Sequence, residues 1–447
     1  MGVSLVVLTS CKLMPEQPDY TSKIQQQREQ LANWSQQENA QEATTLNQLI
    51  NSESLNKILV EAYEANPSLQ QTLLTLNIRR AQATQTKANQ LPVVDAGFSS
   101  TKTEDSDTSY TGSVTVNWQL DLWQKLADNT SAANLDVEQQ LALYQSARDT
   151  LGADVMKSWL GIISQQQAIA IEQQRLATLQ KNEQFILQRY KNGLGTLEDL
   201  DAARSRVFSS LATIENENQT LAQQQRALNV LLGRTKQFPI VIKNTYPSVI
   251  TPLADLPVQT LQRRPDLRAA YLAIKAEELR TKVAYKDMLP SINLSATLND
   301  IASTPSAALL NNPVWTLLAQ LTAPLYRGEA LKAAAEVREL QTAYQYEAYR
   351  GTLLKAIKEV EDALGLEVTL AKRQQHISNA LKSARNTLKQ YQAKYRSGLV
   401  DILDLLNVQQ QTYDLEAQLN NITYTRLLNR VNLGLALGLP FDVESAR

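Results

Sequence analysis

Few side chains in this chain could carry out covalent or metal chemistry, and their types exclude most of it. There is one histidine, His376, and one cysteine, Cys11. A nucleophile–base pair of the Ser–His or Cys–His kind, a Cys/His zinc site and an internal disulfide each need more than this supply. Glu277-Glu278 and Glu359/Glu361 fall on helical patterns, where acids form solvated faces, and His376 reads as an ordinary helix residue. Gly193-Leu194-Gly195 is not a phosphate loop, because no strand precedes it and the next glycine of that pattern is absent. No enzymatic activity, resident metal or cofactor is expected. Three acids stand apart by their position, Asp199, Asp401 and Asp404, each a few residues beyond a glycine. An acid there stabilises a helix start by about 0.3–1 kcal/mol. Copies of one acid gathered round a symmetry axis would instead form a ring that binds cations and disfavours anions.

The segments that position these acids occur twice. Arg189-Tyr190-Lys191-Asn192-Gly193-Leu194-Gly195-Thr196-Leu197-Glu198-Asp199-Leu200 returns as Lys394-Tyr395-Arg396-Ser397-Gly398-Leu399-Val400-Asp401-Ile402-Leu403-Asp404-Leu405, 205 residues later. Basic residues and then glycine end one helix, and an acidic first turn begins the next, so each copy is a helical hairpin tip. Asn66-Pro67 recurs as Arg264-Pro265 and Leu91-Pro92 as Leu289-Pro290 at offsets of 198; Leu122-Trp123 recurs as Leu325-Tyr326 at 203, and Leu232-Gly233 as Leu437-Gly438 at 205. A unit of about 200 residues has been duplicated, far longer than a solenoid period.

Proline placement shows where long helices are allowed. None occurs from 93 to 238 or from 325 to 439. Apolar residues then recur by sevens, as in Val155, Ile162 and Ile169, which predicts a coiled-coil-like seam. The chain divides into a signal and lipobox remnant (1–10), an extended N-terminal strap (11–45) and two repeats. The first, 46–245, holds a β-hairpin (93–121), a long helix (124–192) and a return helix (197–232). The second, 246–447, holds a hairpin (291–325), a long helix (327–397) and a return helix (402–437).

The strands decide the setting. From Tyr110 to Asp121 one face is Tyr110, Gly112, Val114, Val116, Trp118 and Leu120, and the other is polar throughout. Ile292, Leu294, Ala296 and Leu298 alternate with polar residues in the same way, and Trp315, Leu317, Ala319 and Leu321 oppose Thr316, Gln320 and Thr322. A soluble sheet alternates too, against a core. Here no other segment is free to cover the apolar face, so lipid is expected to cover it, with the polar face toward water. Four strands cannot close a barrel, and open edges are not tolerated in lipid, so the chain must oligomerise. Net charge is −1, which offers nucleic acid no basic field. No apolar run reaches about 18 residues, so no transmembrane helix is expected. At the start, Leu8-Thr9-Ser10-Cys11 follows a short apolar run and resembles the lipobox of bacterial lipoproteins, which makes Cys11 the expected lipidation site.

The order of these features resembles the outer membrane efflux protein family, also called the TolC family. The features are the duplicated helix–hairpin–long helix–tip–helix unit, Tyr-x-x-Gly-Leu before an acidic turn, an Asn-Pro-Ser-Leu start and a lipobox. The resemblance covers roughly residues 46–440. It implies a mainly α protein with a transmembrane β-barrel part: a homotrimer whose twelve-stranded barrel lies in the outer membrane and continues as a twelve-helix periplasmic tunnel. It also implies a tripartite pump, with a periplasmic adaptor and an inner-membrane transporter as partners, exporting drugs or other small toxic compounds. Asp404, with Asp401 nearby, falls at the family's lumen-closing tip. Val400 and Asn407 stand where the family can carry a basic residue and a further Asp. The resemblance further suggests a hydrogen bond from Tyr395 to Asp199 across the tips, and adaptor contact through Gly193, Leu194, Gly195, Gly398 and Leu399. The competing reading is a lipid-anchored coiled-coil envelope scaffold without channel activity, which leaves the amphipathic strands unexplained.

Overall fold

The computed structural model describes residues 18–31, 33–34, 40–50, 52–236, 242–254 and 257–442; Cys11 lies outside the described residues. The elements in order are α1 (Tyr20–Glu29), a 3-10 turn (Leu46–Leu49), α2 (Glu53–Ala65), α3 (Pro67–Ala88), β1 (Val93–Thr101), β2 (Ser109–Leu120), α4 (Lys125–Lys191) and α5 (Leu197–Leu231). There follow α6 (Pro257–Arg263), α7 (Pro265–Lys286), β3 (Ser291–Ala302), β4 (Val314–Thr322), α8 (Ala330–Arg396) and α9 (Ile402–Ala436). The duplication is visible in the lengths: α3 and α7 have 22 residues each, α4 and α8 67, and α5 and α9 35. At 1.5 Å per residue each long helix runs about 100 Å.

The chain forms two compact units. One comprises Leu73–Tyr144, Asp266–Leu353 and the described residues up to Gln30; the other comprises Leu31–Thr72, Gln145–Pro265 and the part of the chain from Leu354. The first unit contains a single antiparallel sheet in the order β1-β2-β3-β4. In the second, the heptad positions Leu151, Val155, Ile162, Ile169, Leu179 and Ile186 of α4 are all buried. The ends of α5 and α9 are fixed alike there. Asn66 Nδ2 donates to the Leu231 carbonyl (2.9 Å) while its Oδ1 caps α3 by accepting from the Leu69 N–H (2.9 Å). Arg264, the matching residue of the second repeat, donates through Nη1 to the Ala436 carbonyl (3.1 Å). Two different side chains thus tie each return helix to the start of the short helix that opens its own repeat.

Two expectations are corrected. The N-terminal strap is not extended throughout, since Tyr20–Glu29 is helical. Asp19 caps it by accepting from the Ser22 N–H, and Arg28 Nε donates to the Tyr349 hydroxyl (2.8 Å). Polar composition hid this helix, because only Ile24 among its residues is buried. The second correction concerns Leu122-Trp123 and Leu325-Tyr326, which look alike but are not equivalent in space. Val93 pairs with Asn117 and Ser291 with Thr322, so β2 maps onto β4 at 205, the offset of the helices that follow. Positive φ at Gln124 (58) and Glu329 (63) supports the same spacing.

Candidate functional site: the four-stranded sheet and the helical tips

The register places the alternating residues in phase across all four strands. Val94, Val116, Ala296 and Leu317 form one continuous row, and Ala96, Val114, Leu298 and Trp315 another. The opposite face carries Asp95, Thr115, Thr297 and Thr316 in line, and Thr115 and Thr297 share a hydroxyl–hydroxyl hydrogen bond of 3.3 Å. β1 and β4 are exposed along their whole lengths, including Val94, Phe98, Trp315, Leu317 and Leu321. An apolar face this exposed suits a hydrocarbon solvent, and the Thr/Ser/Asn face suits water. No described helix is long and apolar enough to cross a membrane.

At the tips, glycine turns the chain. Gly193 (φ +71) and Gly398 (φ +75) adopt the left-handed conformation that ends α4 and α8. The Leu194 N–H then reaches the Arg189 carbonyl (2.8 Å) and the Leu399 N–H the Lys394 carbonyl (2.9 Å), which closes matching Schellman motifs. Thr196 and Asp199 form a complete capping box on α5. On α9, Asp401 is the N-cap and its Oδ1 accepts from the Asp404 N–H (2.9 Å). Beneath the turns Leu179, Ile186, Leu200, Val207, Ile402, Leu405 and Leu406 pack into one core. That core fixes the orientation of α9, so Asp404 and Asn407 stand on its exposed side. Arg206 reaches over to Asn407 (3.2 Å).

Of the tip residues singled out in the sequence, Leu194, Gly195, Asp199, Tyr395, Gly398, Leu399 and Asp401 line a single open cleft of about 410 Å³. The expected hydrogen bond from Tyr395 to Asp199 is not made. Oδ2 of Asp199 accepts from the Thr196 N–H (3.2 Å) and Oγ1 (2.8 Å), a bond three residues apart that costs little to order. The Tyr395 ring packs edge-on against Phe185 (5.7 Å), and its buried hydroxyl has no hydrogen-bond partner among the described residues. Phe185 escaped sequence reasoning, as did two cross-links behind the tips. Asn182 donates to Gln409 (2.7 Å), and Arg175 pairs with Asp414 (2.8 Å). Their partners are more than 200 residues away, and no local pattern connects them.

Farther along the second unit, Asp149 of α4 is buried and accepts the Phe441 N–H (2.9 Å), anchoring the chain beyond α9. Burial pushes its carboxyl up to about 6, against smaller opposing effects of that hydrogen bond and of Arg148. Tyr63, which donates to the Arg148 carbonyl (3.0 Å), is raised well above the usual tyrosine range by burial and by the Asp149 charge.

The family described as Outer membrane efflux protein matches residues 58–234 and 256–439, once per repeat. The chain is 26% identical over 402 residues to a probable outer membrane lipoprotein, SilC, of Salmonella typhimurium, covering 86% of this chain and 85% of that protein. It is also 26% identical over 407 residues to the outer membrane protein OprJ of Pseudomonas aeruginosa, covering 87% and 84%. Among solved structures, the Campylobacter jejuni CmeC outer membrane channel superimposes with a TM-score of 0.84 at 18% identity, over 97% of each chain. With lipid-facing strands and paired tips on long helices already in place, the family match identifies this chain as a member of the outer membrane efflux protein family, an efflux channel of the outer membrane.

Proposed function

We propose that three copies close their sheets into a twelve-stranded barrel that serves as the exit duct of a tripartite pump, coupled to a periplasmic adaptor and an inner-membrane transporter. The observation that carries this reading is the sheet itself: one face apolar and exposed, the other polar, and β1 and β4 at open edges. Eight strands would fill their interior with side chains, whereas twelve leave a lumen suited to the Thr, Ser and Asn of the polar face. The long helices would continue that lumen into the periplasm, and the compounds conducted would be small solutes handed over by the transporter. Exposed Leu194 and Leu399, held out by the turns at Gly193, Gly195 and Gly398, offer an apolar contact for the adaptor. Cys11 carries the lipid anchor in this reading, as the name of the SilC relative suggests.

At the second tip, Asp401 is committed to its cap, and Asp404, exposed one turn on, forms the constriction as a ring of three carboxylates. Planar bilayers test both parts. Wild-type protein is expected to give discrete, cation-preferring conductance from a species whose native mass is a trimer. Asp404→Ala should raise conductance or lower the cation preference. A monomer or dimer as the conducting species would sink the barrel, and absence of conductance would favour the scaffold. Unchanged selectivity and conductance in Asp404→Ala would move the constriction elsewhere.

A further inference from the structure

Where the strands run into the helices of the first unit, the polar face of the sheet ends in a hollow. Gln119 of β2, Asn293 of β3 and Gln320 of β4 lie in one row of that face, and Ser291 and Thr322 face each other in the next. Just beyond them Asp121, Trp123 and Lys125 lead into α4, Lys286 and Asp287 end α7, and Arg327 precedes α8. These side chains, with Gln119, Ser291 and Thr322, line a cavity of about 390 Å³, room enough for a small organic molecule.

Charge around the hollow is matched group by group, with one exception. Lys125 Nζ meets Asp287 (3.0 Å) and Lys286 Nζ meets Asp128 (2.6 Å). Both oxygens of Asp121 accept from N–H groups that open α4, those of Leu126 (3.0 Å) and Ala127 (2.8 Å). Arg327 has no side-chain partner among the described residues, so its whole fork of donors is free, and Lys125, bonded to one carboxylate, has donors to spare. The two lysine pairs tie α4 to α7, and the fold accounts for them. It does not account for Arg327. The other repeat carries Ala88, Asn89, Leu122 and Ala330 in the places of Lys286, Asp287, Arg327 and Lys125, so this charged hollow occurs once per chain. Between the charges its walls are apolar: Trp123, Leu289, Pro324 and Leu331 line it, and the Trp123 ring is fixed by a hydrogen bond from Nε1 to the Pro290 carbonyl (2.6 Å) while 44% of the residue stays exposed.

We propose that this hollow binds an amphiphilic organic anion, its carboxylate, sulfate or sulfonate held by Arg327 and Lys125 and its apolar body laid against Trp123 and Leu331. A guanidinium fork matches two oxygens of such a group, and the apolar walls reward a ligand that carries hydrocarbon beside its charge. An inorganic anion lacks that body. An organic cation would meet Arg327 with no carboxylate left over to receive it. Because Gln119, Ser291 and Thr322 belong to the polar face, the occupant arrives through water and not from lipid. The identification of that occupant as a solute in transit rests on the proposed duct, to which it adds a class of cargo.

Trp123 serves as the reporter. Bromine quenches indole fluorescence only at close approach, so 6-bromohexanoate is titrated into the full-length protein in a neutral detergent. Wild type should show saturable quenching that Trp123→Phe removes, the other tryptophans giving only a linear background. Half-saturation should need about tenfold more probe, or above, in Arg327→Gln, and an intermediate amount in Arg327→Lys, which keeps the charge and loses the fork. Equal half-saturation in wild type and Arg327→Gln overturns the site, as does quenching that never saturates, which is partition into detergent. The cationic analogue 6-bromohexyltrimethylammonium should not saturate, and equimolar sodium phosphate should not displace the anion; either result to the contrary overturns the amphiphilic anion as ligand. Native mass spectra should show no phospholipid adduct that Arg327→Gln removes, since such an adduct would make the occupant a lipid headgroup and overturn the solute. Conductance in planar bilayers separates the two readings: a conducting protein that binds no probe overturns this site alone, and a protein that binds probe without conducting overturns the duct and the transit while leaving the site.

Discussion

At the scale of single residues, acids in this chain do three kinds of work that composition cannot separate. Asp199 and Asp401 satisfy backbone donors at helix starts, Asp404 stands exposed one turn further, and Asp149 is buried behind the Phe441 N–H. The first two roles were legible because a capping box has a fixed local spacing. Asp149 was not, since its partner lies 292 residues away. Its raised carboxyl gives a pH signature. Below about pH 4 the group is protonated in the folded and unfolded chain alike. Between there and about 6 the folded state keeps a proton that the unfolded chain sheds, so this stabilising contribution is full at low pH and is lost as pH rises through about 6. The rise from the ordinary aspartate value to about 6 corresponds to about 2–3 kcal/mol. Asp149→Asn keeps an oxygen for the Phe441 N–H without the buried charge. It should therefore melt above wild type at about pH 7.5 by about 1–2 kcal/mol, a gap that narrows by about pH 5. An equal gap at both values would mean that charge burial is not its origin.

At the scale of elements, alternation, heptads and proline-free stretches carried most of the fold, because each is a periodicity that burial itself imposes. The long helices expected at 124–192 and 327–397 are observed as Lys125–Lys191 and Ala330–Arg396, and the strand faces fall in the expected phase. Likeness of residue type failed where it was trusted alone, since Leu325-Tyr326 sits two positions away from the true counterpart of Leu122-Trp123. Helix α1 was missed because its contacts run through Gln27, Arg28 and tyrosines of α8 instead of an apolar stripe. Glycines at helix ends separate backbone conformation from packing. Gly398 has φ +75 and open space where a Cβ would go, so Gly398→Ala meets only the left-handed backbone penalty, about 1–2 kcal/mol. Gly233 has φ +65, and a Cβ there would run into the Ala65 carbonyl. Gly233→Ala should cost about 1–3 kcal/mol more, as overpacking does. Denaturant midpoints measured with an unchanged m-value decide between them, and equal losses would refute the packing difference.

For the molecule as a whole, the proposed function gives two features that hold it at the outer membrane: the lipid proposed on Cys11 and the apolar face of the sheet. They act at different stages. A diacylglycerol brings two acyl chains, enough for stable membrane attachment, with each buried methylene contributing about 0.8 kcal/mol. The sheet presents Val94, Phe98, Trp315, Leu317 and Leu321, each more than half exposed in the isolated chain. At about 25 cal/mol per Å² such rows, repeated in every copy, are a hold of their own once the edges are paired. Before pairing, the open edges of β1 and β4 resist entry into lipid, so the anchor's contribution belongs to the stage when single chains are held at the membrane and concentrated for assembly. Cys11→Ala should therefore lose diacylglycerol by mass spectrometry of the native protein yet leave the assembled barrel in the outer-membrane fraction, resistant to extraction by high salt or alkali. Its assembly, followed by the appearance of oligomer after induction, should be slowed by about tenfold or less, the effect of a lower local concentration. Release of assembled Cys11→Ala protein into the soluble fraction would show that the lipid, and not the sheet, supplies the hold.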